Sequence, residues 1–261
     1  SLALQSVLVL HSPQIHGCCA APLRHSGLHT TIAQSASSRH WSIGNVVAPQ
    51  NIIKHVGADV LRLFFSSTDY FEDVRIGDEM LTRVTDAYRR IRNTFRFILG
   101  NISDFDPATD AVSYDEMEEL DRYALHRLQE LVRQVGGAYE VYEFHKVYQA
   151  VHNYCAVDLS SLYLDILKDR LYASARDSRE RRSAQTALYH ILSALTRMLA
   201  PVLAHTAEEV WQEMPGEGKE ESVMLARFPE VNEPWQDVGL ADRWARIIEA
   251  RGKVLMALEE A

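Results

Sequence analysis

Arg89, Arg90, Arg92, Asn93 and Arg96 are the residues of this chain best suited to chemistry with an anion. In a helix, Arg89, Arg92, Asn93 and Arg96 fall at i, i+3, i+4 and i+7, so they share one face. A row of guanidinium groups with a side-chain amide can grip phosphates and hydrogen-bond base edges. The same row also suits a solvated face ion-paired to acidic neighbours, since exposed charge rows are common and their pairs worth little. No Asp or Glu occurs between positions 87 and 102, which weighs against local pairing. These five residues form the candidate nucleic-acid site, and the sequence offers no catalytic set and no metal set beside it.

A second basic cluster, Lys168, Arg170, Arg176, Arg179, Arg181 and Arg182, is interleaved with Asp169, Asp177 and Glu180. It reads as structural, with a contribution from cations at a helix C-terminus. Asp158 lies close to an apolar helix face, where an unpaired carboxylate is costly, so it is expected to accept hydrogen bonds or pair with an arginine. His145 and His152 are seven residues apart, about 10 Å of helical rise, too far to share a metal easily. They read as groove residues beside Lys146, Gln149 and Asn153. Tyr139, Tyr142, Tyr148, Tyr154 and Tyr163 have rings that can stack on unpaired bases, but most fall on or near a buried stripe and read as core. Cys18 and Cys19 are adjacent and Cys155 stands alone. That is neither zinc spacing nor a disulfide framework, and it suits a reducing cytoplasm.

The elements that must hold the candidate site are helices. Residues 144–172 contain no Gly or Pro, and apolar side chains recur at Phe144, Val147, Tyr148, Val151, Tyr154, Cys155, Leu159, Leu162, Tyr163 and Ile166. This is the spacing of one long helical face. Leu81, Val84, Tyr88, Ile91, Phe95 and Ile98 form a second seam, on the helix of the arginine row. Ser113 followed by Glu116 is a capping-box signature for a third helix carrying Leu120, Ala124, Leu128, Leu131 and Val135, which Gly136 and Gly137 weaken. Residues 178–199, with Leu188, Ile191, Leu192, Leu195 and Leu199 inward, give a fourth, which Pro201 bends or breaks. A shorter helix starts at Thr206 and carries Trp211. Pro215, Gly216 and Gly218 mark a linker, and a last helix runs over 242–260. Upstream, Pro49 suits the first turn of a helix through His55, with Gly57 as its stop. Residues 60–65 make a largely buried helix, and 73–77 a short strand or extended segment.

The fold class expected is therefore mainly α. An antiparallel helical bundle (78–214) follows a small α/β connector (42–77) and an irregular leader (1–41), with a linker and C-terminal helix over 215–261. At 261 residues, with 47% hydrophobic and 24% charged residues, the chain can bury a sizeable core. No apolar run approaches the roughly 20 residues of a membrane-spanning helix. A net charge of −9 argues against non-specific nucleic-acid binding over the whole surface, but a local basic stripe remains open. The chain starts at Ser1 rather than Met and reads as a fragment.

Several segments resemble one family. Ser42-Ile43-Gly44-Asn45-Val46-Val47-Ala48-Pro49 looks like the segment that follows the second catalytic signature of class Ia aminoacyl-tRNA synthetases. Gly57-Ala58-Asp59-Val60-Leu61-Arg62 is similar to their connector, and Tyr88-Arg89-Arg90-Ile91-Arg92-Asn93-Thr94 to their helical anticodon-binding domain. The run Val157-Asp158-Leu159-Ser160-Ser161, leading into Tyr163-Leu164-Asp165, resembles the isoleucyl family in particular. Arg182-Ser183-Ala184-Gln185-Thr186-Ala187-Leu188-Tyr189 and Ala200-Pro201-Val202-Leu203 continue the likeness. Family members carry a Lys-Met-Ser-Lys-Ser loop before the Gly-Asn, where this chain reads Arg39-His40-Trp41-Ser42. The other class I signature, His-x-Gly-His, is absent.

The resemblance implies a piece of a cytoplasmic isoleucine-tRNA ligase that binds the tRNA anticodon stem-loop. Arg89, Arg90, Arg92, Asn93 and Arg96 would be the RNA contacts, and the partner an isoleucine-acceptor tRNA. No cofactor is expected on this piece, while ATP and Mg serve the full-length parent. Two other classes stay open: a helical interaction module that does not bind RNA, and one part of a split synthetase docking on a catalytic partner chain. An exposed apolar patch at 60–65 would favour docking, and a positive groove beside Arg92 would favour RNA.

Overall fold

The computed structural model describes residues 47–71 and 76–259. The chain divides into two compact units, residues 1–55 and 56–261. The expectations for the leader, for Cys18 and Cys19, and for most of the strand at 73–77 lie outside the described residues, as does the match of 42–46. Ile76 and Gly77 are irregular, and the described residues contain helices and turns but no strand.

Helix α1 (Pro49–Val56) places proline in the first turn, as expected, and Gly57 follows at φ 91°, in the left-handed region that glycine enters without steric cost. Helix α2 (Ala58–Ser67) opens the second unit. Val60, Leu61, Leu63 and Phe64 are buried there, while Phe65 is exposed, a correction to its expected burial. Helix α3 (Asp78–Ile102) carries the arginine row on one side and buries Val84, Ile91, Phe95 and Ile98 on the other. Helix α4 (Glu119–Glu140) runs unbroken through Gly136 and Gly137, because packing of its apolar face outweighs the propensity cost of two glycines.

Ser113 does not start α4. It precedes a 3-10 turn (Tyr114–Glu116), its Oγ bonded to the Glu116 carboxylate at 2.8 Å. Ahead of α4, the Glu118 N–H donates instead to Ser183 Oγ at 2.9 Å. That partner is 65 residues away and invisible to a local motif. Helix α4 ends in a Schellman arrangement, with Glu143 N–H donating to Ala138 O and Tyr142 N–H to Tyr139 O. Tyr142 takes the left-handed position at φ 60°. Replacing Tyr142 by Gly is therefore expected to raise stability by about 1 kcal/mol, since a residue with a Cβ is strained there. Urea unfolding would check this, and a loss of stability would show that the tyrosine ring matters more than its backbone.

The stretch expected as one long helix is continuous but not uniform. Helix α5 (Phe144–Asn153) passes into a π-helical segment (Tyr154–Tyr163) and then α6 (Leu164–Ala173). Ser160 Oγ donates back to Cys155 O at 2.7 Å, five residues away, and Ser161 Oγ to Val157 O at 2.7 Å. The i→i+5 pattern rotates the face that follows. Leu164, Leu167 and Leu171 are buried, whereas Ile166, placed inside by the α period, is 40% exposed.

Helix α7 (Arg179–Leu199) is capped by Ser178, whose Oγ accepts from Arg181 N–H. Its five expected core residues are all buried, and it ends just before Pro201. Helix α8 (Ala204–Glu213) begins two residues ahead of Thr206, because its start is capped from a distance. Asp59 of α2 accepts from His205 N–H, Thr206 N–H and Thr206 Oγ1. A carboxylate at a helix N-terminus satisfies orphan donors and opposes the helix dipole. Arg62 of α2 does the converse for α7, donating to Pro201 O and Val202 O beyond its C-terminus. After a 3-10 turn (Glu233–Trp235), helix α9 (Val238–Glu259) lies against α4.

The bundle core forms where α4 packs on α5 and α7, and α3 packs on α2, α7 and the π-segment. Phe64, Ile91, Phe95, Ile98, Leu125, Leu128, Leu188 and Ile191 are almost wholly enclosed there. The arginine row of α3 is left facing outward.

Candidate nucleic-acid interface

Every residue of the expected site is exposed on α3: Arg89, Arg90, Arg92, Asn93 and Arg96. Arg89 makes an exposed ion pair with Asp86 at 3.2 Å. Among the described residues, Arg90, Arg92 and Arg96 make no ion pair. The second basic cluster behaves in the opposite way, as its sequence suggested. Arg170 reaches Asp121, Arg176 and Arg181 reach Asp104, Arg182 reaches Asp110, and Lys168 pairs with Asp165. Arg179 donates to the carbonyl of Glu116. The arginines of the second cluster are engaged by acids and carbonyls, whereas among the described residues Arg90, Arg92 and Arg96 of the α3 row make no ion pair.

The two halves of the α3 row have different neighbours. Arg90 stands near His152 of α5, whose ring stacks on Tyr148 at 5.9 Å and 20°. Burial, and then the Arg90 charge, push the His152 pKa down, so the imidazole is neutral at pH 7. Asn93 and Arg96 instead border an open groove of about 400 Å³, lined also by Phe97, Gly100, Asn101 and Tyr172. Tyr172 comes from the end of α6 and is 66% exposed. The sequence reading singled out five other tyrosines and missed this one. The signal was its place off the apolar stripe, one residue beyond buried Leu171, at a helix end rich in cations.

The tyrosines that were singled out are mostly core. Tyr139 donates to Met198 O and Tyr163 to the Asp121 carboxylate, and Tyr154 is fully enclosed. Tyr142 and half-buried Tyr148 are the more accessible ones. Asp158 accepts from Arg127 Nε at 2.9 Å, as expected of a carboxylate near the apolar face. Burial pushes the Cys155 thiol up to about 12, which keeps it protonated and unreactive. His145 and His152 do not join a metal site, and among the described residues no cluster of His, Cys, Asp or Glu could hold one. No helix among them is long and apolar enough to cross a membrane.

Two titrating groups contribute to the acid response of the bundle. Burial, and then the Arg197 charge, lower His190 to about 4. Between that value and the ordinary 6.5 the unfolded chain binds more protons, so stability falls as pH drops through this window, by about 3 kcal/mol. Asp104, bonded to Arg181, Gln185 and Arg176, has its carboxyl held well below the usual carboxylate range. Its contribution is present above pH 4 and is lost only on further acidification. Replacing His190 by Gln is expected to flatten the melting temperature between pH 6.5 and 4 while leaving the loss below pH 4. Parallel profiles for the two proteins would contradict the assignment.

Comparisons with known proteins bear on the family and the helical fold. A family model described as the anticodon-binding domain of tRNA ligase matches residues 121–261. A second, described as tRNA synthetases class I (I, L, M and V), matches residues 28–77, beginning upstream of Ser42. The chain is 51% identical over 92% of its length to isoleucine-tRNA ligase of Geobacter sulfurreducens, and 54% identical over 84% to that of Syntrophotalea carbinolica. It spans about a quarter of the length of these relatives, 26% and 24%. Among solved structures it resembles a chain of the LeuRS–tRNA–LeuAMS ternary complex of Agrobacterium radiobacter. The TM-score is 0.57 and the identity 22%, over 75% of this chain and 22% of the other, which is a likeness of fold. On its family-model match, the chain belongs to the anticodon-binding domain family of tRNA ligases.

Proposed function

We propose that this chain holds the anticodon stem-loop of an isoleucine-acceptor tRNA against the exposed face of α3, as the RNA-gripping part of a cytoplasmic isoleucine-tRNA ligase. The observation that carries the reading is the contrast between the two basic clusters. Arg90, Arg92 and Arg96 keep their donors exposed and make no ion pair among the described residues, while the arginines of the second cluster are spent on acids and carbonyls. Guanidinium groups on a helix face bind phosphates bidentately and release counterions as they do so. The synthetase of similar fold was crystallised with tRNA, which supports the class of ligand. In this reading ATP-dependent ligation of isoleucine, with ATP and Mg as its cofactors, belongs to the full-length ligase.

The docking alternative relied on an apolar patch at residues 60–65. Val60, Leu61, Leu63 and Phe64 are buried, so the segment exposes one large apolar side chain, Phe65, and not a contiguous patch. The test is fluorescence anisotropy with an isoleucine tRNA and with the same tRNA carrying a substituted anticodon. Binding that is salt-sensitive and tighter for the native anticodon is expected. Equal affinity for both would remove the anticodon from the account, and absence of binding would overturn it.

A further inference from the structure

We infer that the small cavity between α4 and the π-segment binds one ordered water, held by the hydroxyl of Tyr154 and the carboxylate of Asp158. Tyr123, Ala124 and Arg127 of α4 line the cavity on one side, and Tyr154, Asp158 and Leu162 of the π-segment on the other. Its volume is about 10 Å³, close to the least space that takes a single water and too little for a larger ligand. Cavities of this size that stay dry are apolar, and this one is not. Tyr154 is 3% exposed, and its buried hydroxyl has no hydrogen-bond partner among the described residues. An unpaired hydroxyl in a protein interior carries its full desolvation cost, which native proteins relieve with a protein partner or an ordered water.

The ion pair beside Tyr154 supplies the water's other bonds. Arg127 Nε donates to Asp158 Oδ1 at 2.9 Å, and Arg127 Nη1 pairs with Glu130. Among the described residues Asp158 Oδ2 and Arg127 Nη2 have no partner, so one acceptor and one donor group remain at the cavity. Burial, and then the Asp158 charge, push the Tyr154 hydroxyl well above its ordinary value of 10, so it keeps its proton and donates. The water accepts from Tyr154 and donates to Asp158, with the guanidinium as a further partner, which is the usual complement for a buried water. The side chains of Asp158 and Arg127 are 17% and 35% exposed, which gives the water a way in. Tyr154 opens the π-segment and Asp158 stands at its middle. The bridge therefore ties the widened turns to α4 just where the following face rotates.

The test is a high-resolution crystal structure of the full chain, read together with urea unfolding of Tyr154→Phe. One ordered water is expected within hydrogen-bond distance, about 2.7–3.2 Å, of both Tyr154 Oη and an Asp158 oxygen. An empty cavity, or a direct bond between Tyr154 and Asp158, would overturn the inference. Phenylalanine fills the same space without the hydroxyl, so the variant should fold. With the water in place, loss of its bond to Tyr154 should raise the unfolding equilibrium constant about 5- to 10-fold, the worth of one hydrogen bond. If the hydroxyl is instead unpaired, its removal leaves stability the same or higher, and that result also overturns the inference.

Discussion

Replacing Asp121 by alanine is expected to destabilise the bundle by about 3–5 kcal/mol, the cost of leaving buried partners uncompensated. Its side chain has no solvent exposure and stands where four elements meet. It accepts from Tyr163 Oη at 2.8 Å in the π-segment, from Arg170 Nη1 at 2.9 Å and Nη2 at 3.2 Å in α6, and from Ser183 Oγ at 2.6 Å in α7. Removing the carboxylate strands a guanidinium that is only 20% exposed, together with two buried hydroxyls. Removing an exposed pair such as Arg83–Glu79 should cost well under 1 kcal/mol by comparison. Urea unfolding of both variants measures the contrast. A loss near 1 kcal/mol at Asp121 would mean that the four-way junction is not what fixes α6.

Replacing Arg92 and Arg96 together by alanine is expected to have the larger functional effect with almost no structural one. Both side chains are exposed on α3 and leave the core face of Ile91, Phe95 and Ile98 untouched. Each lost phosphate contact should make the plot of log affinity against log salt shallower by about 0.7–0.9, so the pair should reduce the slope by up to about 1.8. Affinity at low salt should fall by about tenfold or more, while the melting temperature should stay within about a degree or two of the parent. An unchanged slope at reduced affinity would assign these arginines to something other than phosphates. An unchanged affinity would remove them from the interface.

Much of this was legible in the sequence because helix faces are written locally. The seams of α3, α4 and α7 follow from period alone, and every core leucine expected in α7 is buried. The two basic clusters could also be told apart, since acids are interleaved in one and absent from the middle of the other. What escaped depends on partners far along the chain. The cap of α8 is Asp59, 147 residues from Thr206, and the serine ahead of α4 is Ser183 rather than Ser113. The π-segment was hidden because apolar spacing does not distinguish i→i+4 from i→i+5 bonding until the face has already rotated, which is why Ile166 was placed inside. Tyr172 was missed for the same reason: only after that rotation, with Leu167 and Leu171 turned inward, does it come to stand across from Asn93 and Arg96.

The central claim is that the α3 face seats an anticodon stem-loop, and nuclease footprinting of the bound tRNA tests it most directly. An isoleucine tRNA saturated with the chain should be protected at the anticodon loop and the adjoining stem, with the acceptor arm cut as in free RNA, and the protection should disappear with the Arg92/Arg96 double substitution. Protection confined to the acceptor arm, or none at a concentration that shifts the tRNA in anisotropy, would contradict the account.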